Sequence, residues 1–365
     1  MSLVGYDIIP SSRNVVVFYE DSFETTGGIE TYSYTVTSGE LPTGLNLSIN
    51  GELSGTPAAT GTFTFIVTVT GDDGEIDAHI YSLTIAPEPV IQVSSVEDLN
   101  NVRNDLDGNY IQIADIDLSG APWVTIGTYS NHFTGNYDGN RYKITNLNFT
   151  GGHNVGLFSV ISGNIENLVL ENLSINSESR VGGLAGRLWD GGTIRNTHIQ
   201  GTGRIYGDFV IGGLVGENRG TINRSFVTVK TLSEGPCVGG IAGTNYALNA
   251  GGGTINQSYA TNDVESTEHW IGGLVGDNRQ VDSYIIESYA TGKVTGTGNI
   301  GGLVGLSHDG TVEKSYYDES TSLQNDVGSG TPKLTAEMKQ EAIFVDWDFE
   351  DVWTIDEGVT YPRLQ

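Results

Sequence analysis

Gly212-Gly213-Leu214-Val215-Gly216 is one of five near-identical words in the second half of this chain. The others are Gly182-Gly183-Leu184-Ala185-Gly186, Gly239-Gly240-Ile241-Ala242-Gly243, Gly272-Gly273-Leu274-Val275-Gly276 and Gly301-Gly302-Leu303-Val304-Gly305, and a degenerate form, Gly156-Leu157-Phe158, precedes them. From position 156 through 183, 213, 240 and 273 to 302, the intervals are 27, 30, 27, 33 and 29 residues. A fixed word at a nearly fixed period marks a stacked repeat protein, in which most recurrent residues are architectural. A second word, Ile-x-x-Ser or a near relative, follows each glycine word at Ile194–Thr197, Ile222–Ser225, Ile255–Ser258, Ile285–Ser288 and Val312–Ser315. A third apolar strand such as Val227-Thr228-Val229 completes the period. Three short strands with glycine at the corners predict one coil of a parallel β-helix, each coil about 4.8 Å above the last. No coil can bury its apolar face alone, so the stack supplies the core.

The flanks read differently. Residues 1–88 alternate with period two at Val15–Tyr19, Thr31–Val36, Thr62–Val69 and Tyr81–Ile85, which predicts a small β-sandwich. Asn50-Gly51 predicts a two-residue type I′ hairpin. Residues 89–150 hold a linker, a leading cap with helical spacing over Val96–Leu106, and the first coils. The repeats run over 151–318. Residues 319–365 form a C-terminal cap, with a short helix expected over Thr335–Ala342, Thr335 as N-cap and Met338 and Ala342 facing inward. Trp347, Phe349, Trp353 and Tyr361 are expected to plug the open end of the helix, where an uncovered edge invites aggregation.

Two stretches carry resemblances. Leu41-Pro42-Thr43-Gly44-Leu45-Asn46-Leu47, with Asn50-Gly51-Glu52-Leu53-Ser54-Gly55-Thr56-Pro57 and Gly61-Thr62-Phe63, resembles a bacterial immunoglobulin-like family related to cadherin-like domains. Such domains imply a spacer or contact module. The glycine words, led in by Asp115-Ile116-Asp117-Leu118-Ser119-Gly120 and Tyr137-Asp138-Gly139-Asn140, resemble the GLUG-motif repeats of bacterial surface proteins, adhesins and some peptidase precursors. That resemblance implies a right-handed, pectin-lyase-like parallel β-helix and brings no catalytic residue set with it. The fold class is therefore all-β: an immunoglobulin-like β-sandwich followed by a capped β-helix.

Composition narrows the function. A formal net charge of −28 leaves no basic stripe for phosphates, which argues against nucleic acid and against anionic membranes. No apolar stretch is long enough to span a bilayer. The single cysteine, Cys237, cannot form an internal disulfide. Met1–Asp7 lacks the basic and apolar regions of a signal peptide, leaving a trimmed chain, an unconventional export route or a virion product.

Chemistry is sought where the repeats diverge, in the loops after each glycine word. Trp189 and Tyr246 offer flat faces, and Glu217, Arg219, Asp277 and Arg279 offer carboxylates and guanidinium forks; Asp190, His308 and Asp309 complete the column. Aromatic stacking beside such polar groups is what a sugar-binding groove needs. Asn218, Asn245 and Asn278 hold one position on neighbouring coils and read as an amide ladder. A second column, His198, Phe226, Tyr259, Tyr289 and Tyr316, is expected to face outward as a contact surface for a glycan, a partner chain or a homotrimer mate. Glu217 and Asp277, two coils apart, stand on the order of 10 Å from each other, near the spacing of inverting glycosidases at about 6.5–9.5 Å. No cofactor is required and no metal site is assigned; Asp72, Asp73, Glu75 and Asp77 could attract Ca2+ but read as a solvated turn.

These features lead to a non-enzymatic adhesin or receptor-binding protein of a bacterial surface or phage tail, extracellular or on a virion, that recognises cell-surface glycan or protein. A phage tailspike-like depolymerase, acting as a polysaccharide hydrolase or lyase, and a structural stalk or virion decoration are the alternatives.

Overall fold

The computed structural model describes residues 2–3, 13–14, 18–27, 31–247, 253–326 and 329–365, and the chain divides into two compact units, residues 1–90 and 91–365.

In the first unit, the long hairpin Gly61–Gly71 and Ile76–Ala86 pairs with Tyr32–Gly39 and Arg13–Asn14 in a four-stranded sheet. Tyr19–Ser22, Glu52–Gly55 and Leu45–Leu47 form the three-stranded sheet. Alternation along these strands buries Leu53, Phe65, Val67, Val69, Leu83 and Ile85 in one core. The expected strand Val15–Tyr19 lies largely outside the described residues. The Asn50-Gly51 hairpin departs from the type I′ expectation. Its loop spans Ser48–Gly51, and Gly51 takes positive φ (90°) while Asn50 does not.

The second unit is a β-solenoid of parallel strands. Each coil has four walls, not three strands, because the residues before the glycine word form a strand of their own. Wall A follows the word, from Phe158–Ile161 to Val304–His308 in six strands. Wall B carries the isoleucine of the second word, in nine strands from Val90–Val93 to Thr311–Glu313. Wall C, from Ile116–Asp117 to Thr331–Lys333, carries the aromatic column. Wall D, six strands from His153–Val155 to Ile300–Gly301, leads back to the next word.

The two words now have physical reasons. At the corner between walls D and A the coils approach so closely that a Cβ on Gly213 would collide with the Gly240 carbonyl, and one on Gly216 would meet the Arg180 backbone at 2.7 Å. At the corner between B and C, the residue before the serine is left-handed in coil after coil: Asn196, Arg224, Gln257, Glu287 and Lys314 have φ of 45–48°. The serine then closes the turn. Ser258 Oγ donates to the Asn256 carbonyl and accepts from the Ser225 amide of the coil below (2.8 and 3.1 Å). Ser225 and Ser288 do the same in their coils. These hydroxyls are fully buried, and each satisfies backbone groups that the corner would otherwise strand.

Both ends of the stack are covered. Val96–Asn101 forms the expected leading helix, capped by Ser95 Oγ on the Asp98 amide (3.1 Å), and Leu99 and Val102 enter the core. At the other end, Tyr317 packs on Gly302 while the Asp326 carboxylate takes the Gly302 amide at 2.8 Å. The C-terminal aromatics behave otherwise than expected. Trp347, Trp353, Phe344 and Met338 fold back along wall C and bury Tyr259, Tyr289 and Tyr316 in a second core. Thr335–Ala342 is a run of turns ending in the short 3-10 helix Glu341–Ile343; Met338 is buried, but Ala342 is exposed and Thr335 donates its hydroxyl to Asp318.

Candidate functional site

The divergent loop residues divide into two clusters along wall A. The lower one is built around Glu217, whose neighbours in register are Arg187 on the coil below and Thr244 above. Glu217 is almost fully buried and is held by Arg219 (2.7 Å), Arg180 (3.1 Å) and Arg187 (3.5 Å). The Arg219 guanidinium lies between two rings, 4.4 Å from Trp189 and 4.5 Å from Tyr246. Arg187 repeats the motif lower down, 5.0 Å from Tyr129 and 5.4 Å from Trp189. The result is an interleaved stack, Tyr129, Arg187, Trp189, Arg219, Tyr246, in which each cation meets a ring's electron-rich face. Burial lowers the Arg187 pKa, with Glu217 opposing it, and burial followed by Glu217 raises that of Tyr246.

The flat faces expected of Trp189 and Tyr246 are turned to a guanidinium within the chain. Arg219 already occupies the space between them. Both are half-buried, while the exposed ring is Tyr129, at 54%. Tyr129 stands edge-on to Trp189 at 5.6 Å, and His132 lies 5.3 Å from the same indole. Both come from the excursion between Ile126 and Phe133, residues that bridge to Phe158 and Ile161 on the first strand of wall A. A polar hollow of about 540 Å³ opens beside them, lined by Arg103, Asp105, Asp107, Asn131 and His132 among others. Sequence reasoning missed Tyr129, His132 and Arg180 because none belongs to the repeating words.

The upper cluster gathers Asp277, Arg279 and His308. Asp277 is fully buried, its Oδ2 paired with Arg279 and its Oδ1 3.8 Å from the His308 ring. Arg279 also lies 5.6 Å from the Trp270 ring, and Asp309 bridges to Arg279 through the backbone. Burial pushes the nearby Cys237 thiol up to about 12, and Asp277 adds to the shift. Glu217 and Asp277 share one register position two coils apart, with Thr244 between them, and each is engaged by arginine. Asp190 sits half-buried at the turn after Trp189.

The amide ladder lies on the inner side of the same strands. Asn218 Nδ2 donates to Asn245 Oδ1 (2.7 Å) and Asn245 Nδ2 to Asn278 Oδ1 (2.8 Å), all three fully buried. The aromatic column is a ring stack: His198 to Phe226 at 4.1 Å, then Phe226 to Tyr259 and Tyr259 to Tyr289 at 4.9 Å. It is not an open contact face. The C-terminal segment covers it, with the Tyr289 hydroxyl donating to the Pro362 carbonyl at 2.5 Å and Trp353 about 6 Å from both Tyr259 and Tyr289. Among the described residues no three His, Cys, Asp or Glu side chains are grouped to hold a metal ion, and no helix is long and apolar enough to cross a membrane.

Comparison with known proteins agrees with this architecture. Residues 10–86 match the family described as "Putative Ig domain", and residues 94–201 match "M26 IgA1-specific Metallo-endopeptidase N-terminal region". The chain is 31% identical over 74% of its length to a "Putative Gly-rich membrane protein" of Evansella cellulosilytica, covering 44% of that protein. It is 29% identical over 40% of its length to an "Immunoglobulin A1 protease" of Streptococcus sanguinis, covering 8% of it. The chain thus spans less than half of these curated relatives. Among solved structures, an immunoglobulin A1 protease described as putative, from Bacteroides ovatus, superposes with a TM-score of 0.56 at 22% identity, over 75% of this chain and 91% of that one. The chain is therefore an immunoglobulin-like domain followed by a β-solenoid whose first coils match the N-terminal region of M26 endopeptidases.

Proposed function

We propose that this chain is a recognition segment of an extracellular surface protein, in which the solenoid binds a cell-surface glycan or protein without cleaving it and the immunoglobulin-like unit acts as a spacer. The carrying observation is Tyr129. An exposed ring held against Trp189 and backed by Arg187, next in sequence to the Ser130, Asn131 and His132 that line a polar hollow, is a preorganised stacking platform. The relatives support the setting, since one is named as a membrane protein and others as immunoglobulin A1 proteases. The likeness of the glycine words to GLUG repeats points the same way. Glu217 and Asp277 serve this reading as structural anions, because arginines already neutralise both.

The test is a glycan-array screen of the full chain, with and without Ca2+, followed by mass spectrometry for released oligosaccharide on every hit. Binding without release, weakened about tenfold or more in Tyr129→Ala at unchanged melting temperature, supports the reading; a tenfold loss is about 1.4 kcal/mol. Shortened oligosaccharides would convert the protein to a depolymerase. An array with no hit, together with no pull-down of a surface protein, would leave a stalk.

A further inference from the structure

The ring stack on wall C stops at His198. Its register partner on the coil below is Val169, and below that Lys143. Where the column loses its rings, the C-terminal segment continues alongside, and a hollow of about 380 Å³ remains between them. Arg141, Asn167, Asn196, His198 and Arg224 line one side, and Asp351 is the one carboxylate side chain in the lining. Arg141 and Arg224 belong to corner positions three coils apart, so their backbones stand roughly 14 Å from each other along the stack by strand spacing.

The charge here is opposite to that of the molecule. In a chain of net charge −28, two arginines line one cavity. Arg224 spends Nε on Gln257 Oε1 (3.2 Å), leaving its terminal nitrogens without a partner among the described residues. The Arg141 side chain has no hydrogen-bond or ion-pair partner among them. The Asn196 amide donates to Asn167, and Asn167 in turn to Asp138, so these amides are fixed in orientation along the wall. The hollow therefore has a flat ring at its upper end, an apolar floor at Val169 and charged forks of the kind that donate bidentately to a carboxylate.

We infer that this hollow binds a carboxylated sugar, a uronic-acid-type pyranose whose ring extends the aromatic stack beneath His198 and whose carboxylate is taken by Arg141 and Arg224. The site is separate from the Tyr129 surface, and the inference rests on the glycan-binding reading only in the class of ligand. An acidic peptide is disfavoured because the stack ends in an imidazole face, which suits a ring rather than an extended backbone.

Glucuronic acid, glucose, acetate and a tetra-aspartate peptide would be titrated into the full chain at low salt, read by calorimetry and by the fluorescence of the nearby Trp353. The matching variant is Arg141→Asn with Arg224→Asn. Both positions have positive φ (64° and 48°), and asparagine already occupies the equivalent corners at 167 and 196 with φ of 52° and 47°. The variant should thus fold and melt as the parent does. Glucuronic acid should bind at least tenfold more tightly than glucose or acetate, weaken about tenfold or more in the double variant, and be unaffected by Tyr129→Ala. Equal binding of acetate and glucuronic acid, tighter binding of the peptide, or unchanged affinity in the double variant would each overturn the inference. Loss of binding in Tyr129→Ala alone would return the ligand to the loop surface and leave the general reading standing.

Discussion

At the scale of single residues, the repeat is held by groups that hydrogen-bond vertically. Ser258 is the clearest case, with its hydroxyl between the Ser225 amide and the Asn256 carbonyl in a fully buried corner. Ser258→Ala should cost about 1–3 kcal/mol, because it leaves a buried donor unpaired; thermal or urea unfolding measures it. Gly213→Ala should cost a similar amount through steric overpacking against Gly240. His198 supplies a pH dependence. Burial, with a smaller contribution from Arg141, lowers its pKa from 6.5 to about 4. As pH falls below about 6.5 the unfolded chain takes up the proton before the folded one does, so stability is complete above that value and drains away down to about 4. The loss is on the order of 3 kcal/mol. In His198→Phe, which continues the ring type of Phe226, the melting temperature should fall less between pH 7 and pH 4.5 than in the parent.

Among elements, the C-terminal segment is the one whose role differs most from what its sequence suggested. Its aromatics were expected at the open end, and they line the side. Both placements hide apolar surface, and amino-acid composition cannot separate them. The choice follows from the outward row Phe226, Tyr259, Tyr289 and Tyr316, which needs a cover, and from the end itself being closed by Tyr317 and Asp326. Removing residues 335–365 should therefore leave the coils wound but bare the ring row. Expected readouts are increased binding of a hydrophobic dye and concentration-dependent association on gel filtration, with far-UV circular dichroism largely retained. A monomeric, dye-silent truncated chain would show that the row needs no cover.

For the whole molecule, the stack was legible because its period is a backbone requirement. Gly213, Gly216 and Ser225 recur where carbonyls and amides of adjacent coils meet, and any residue imposed by that meeting repeats with the coil. The immunoglobulin-like unit was legible through alternation along Thr62–Val69. Wall D escaped notice as a separate strand because its apolar residues run directly into the glycine word. The candidate site was only half legible. Glu217, Arg219 and Tyr246 sit at one register position or beside it, so they could be grouped by counting. Tyr129 comes from outside the period, and the insertion of Arg219 between two rings depends on side-chain directions that spacing does not encode.

The left-handed corner between walls B and C has a further consequence. Asn196, Arg224, Gln257, Glu287 and Lys314 differ in every chemical respect except backbone angle, and the serine or threonine after each faces inward. Length differences between coils therefore fall in the loops, while the joints that pass load from one storey to the next stay constant. A gene carrying such a segment can gain or lose one whole storey by unequal recombination, and the product meets the same floor and the same ceiling. Height becomes a variable that can change without redesigning either end.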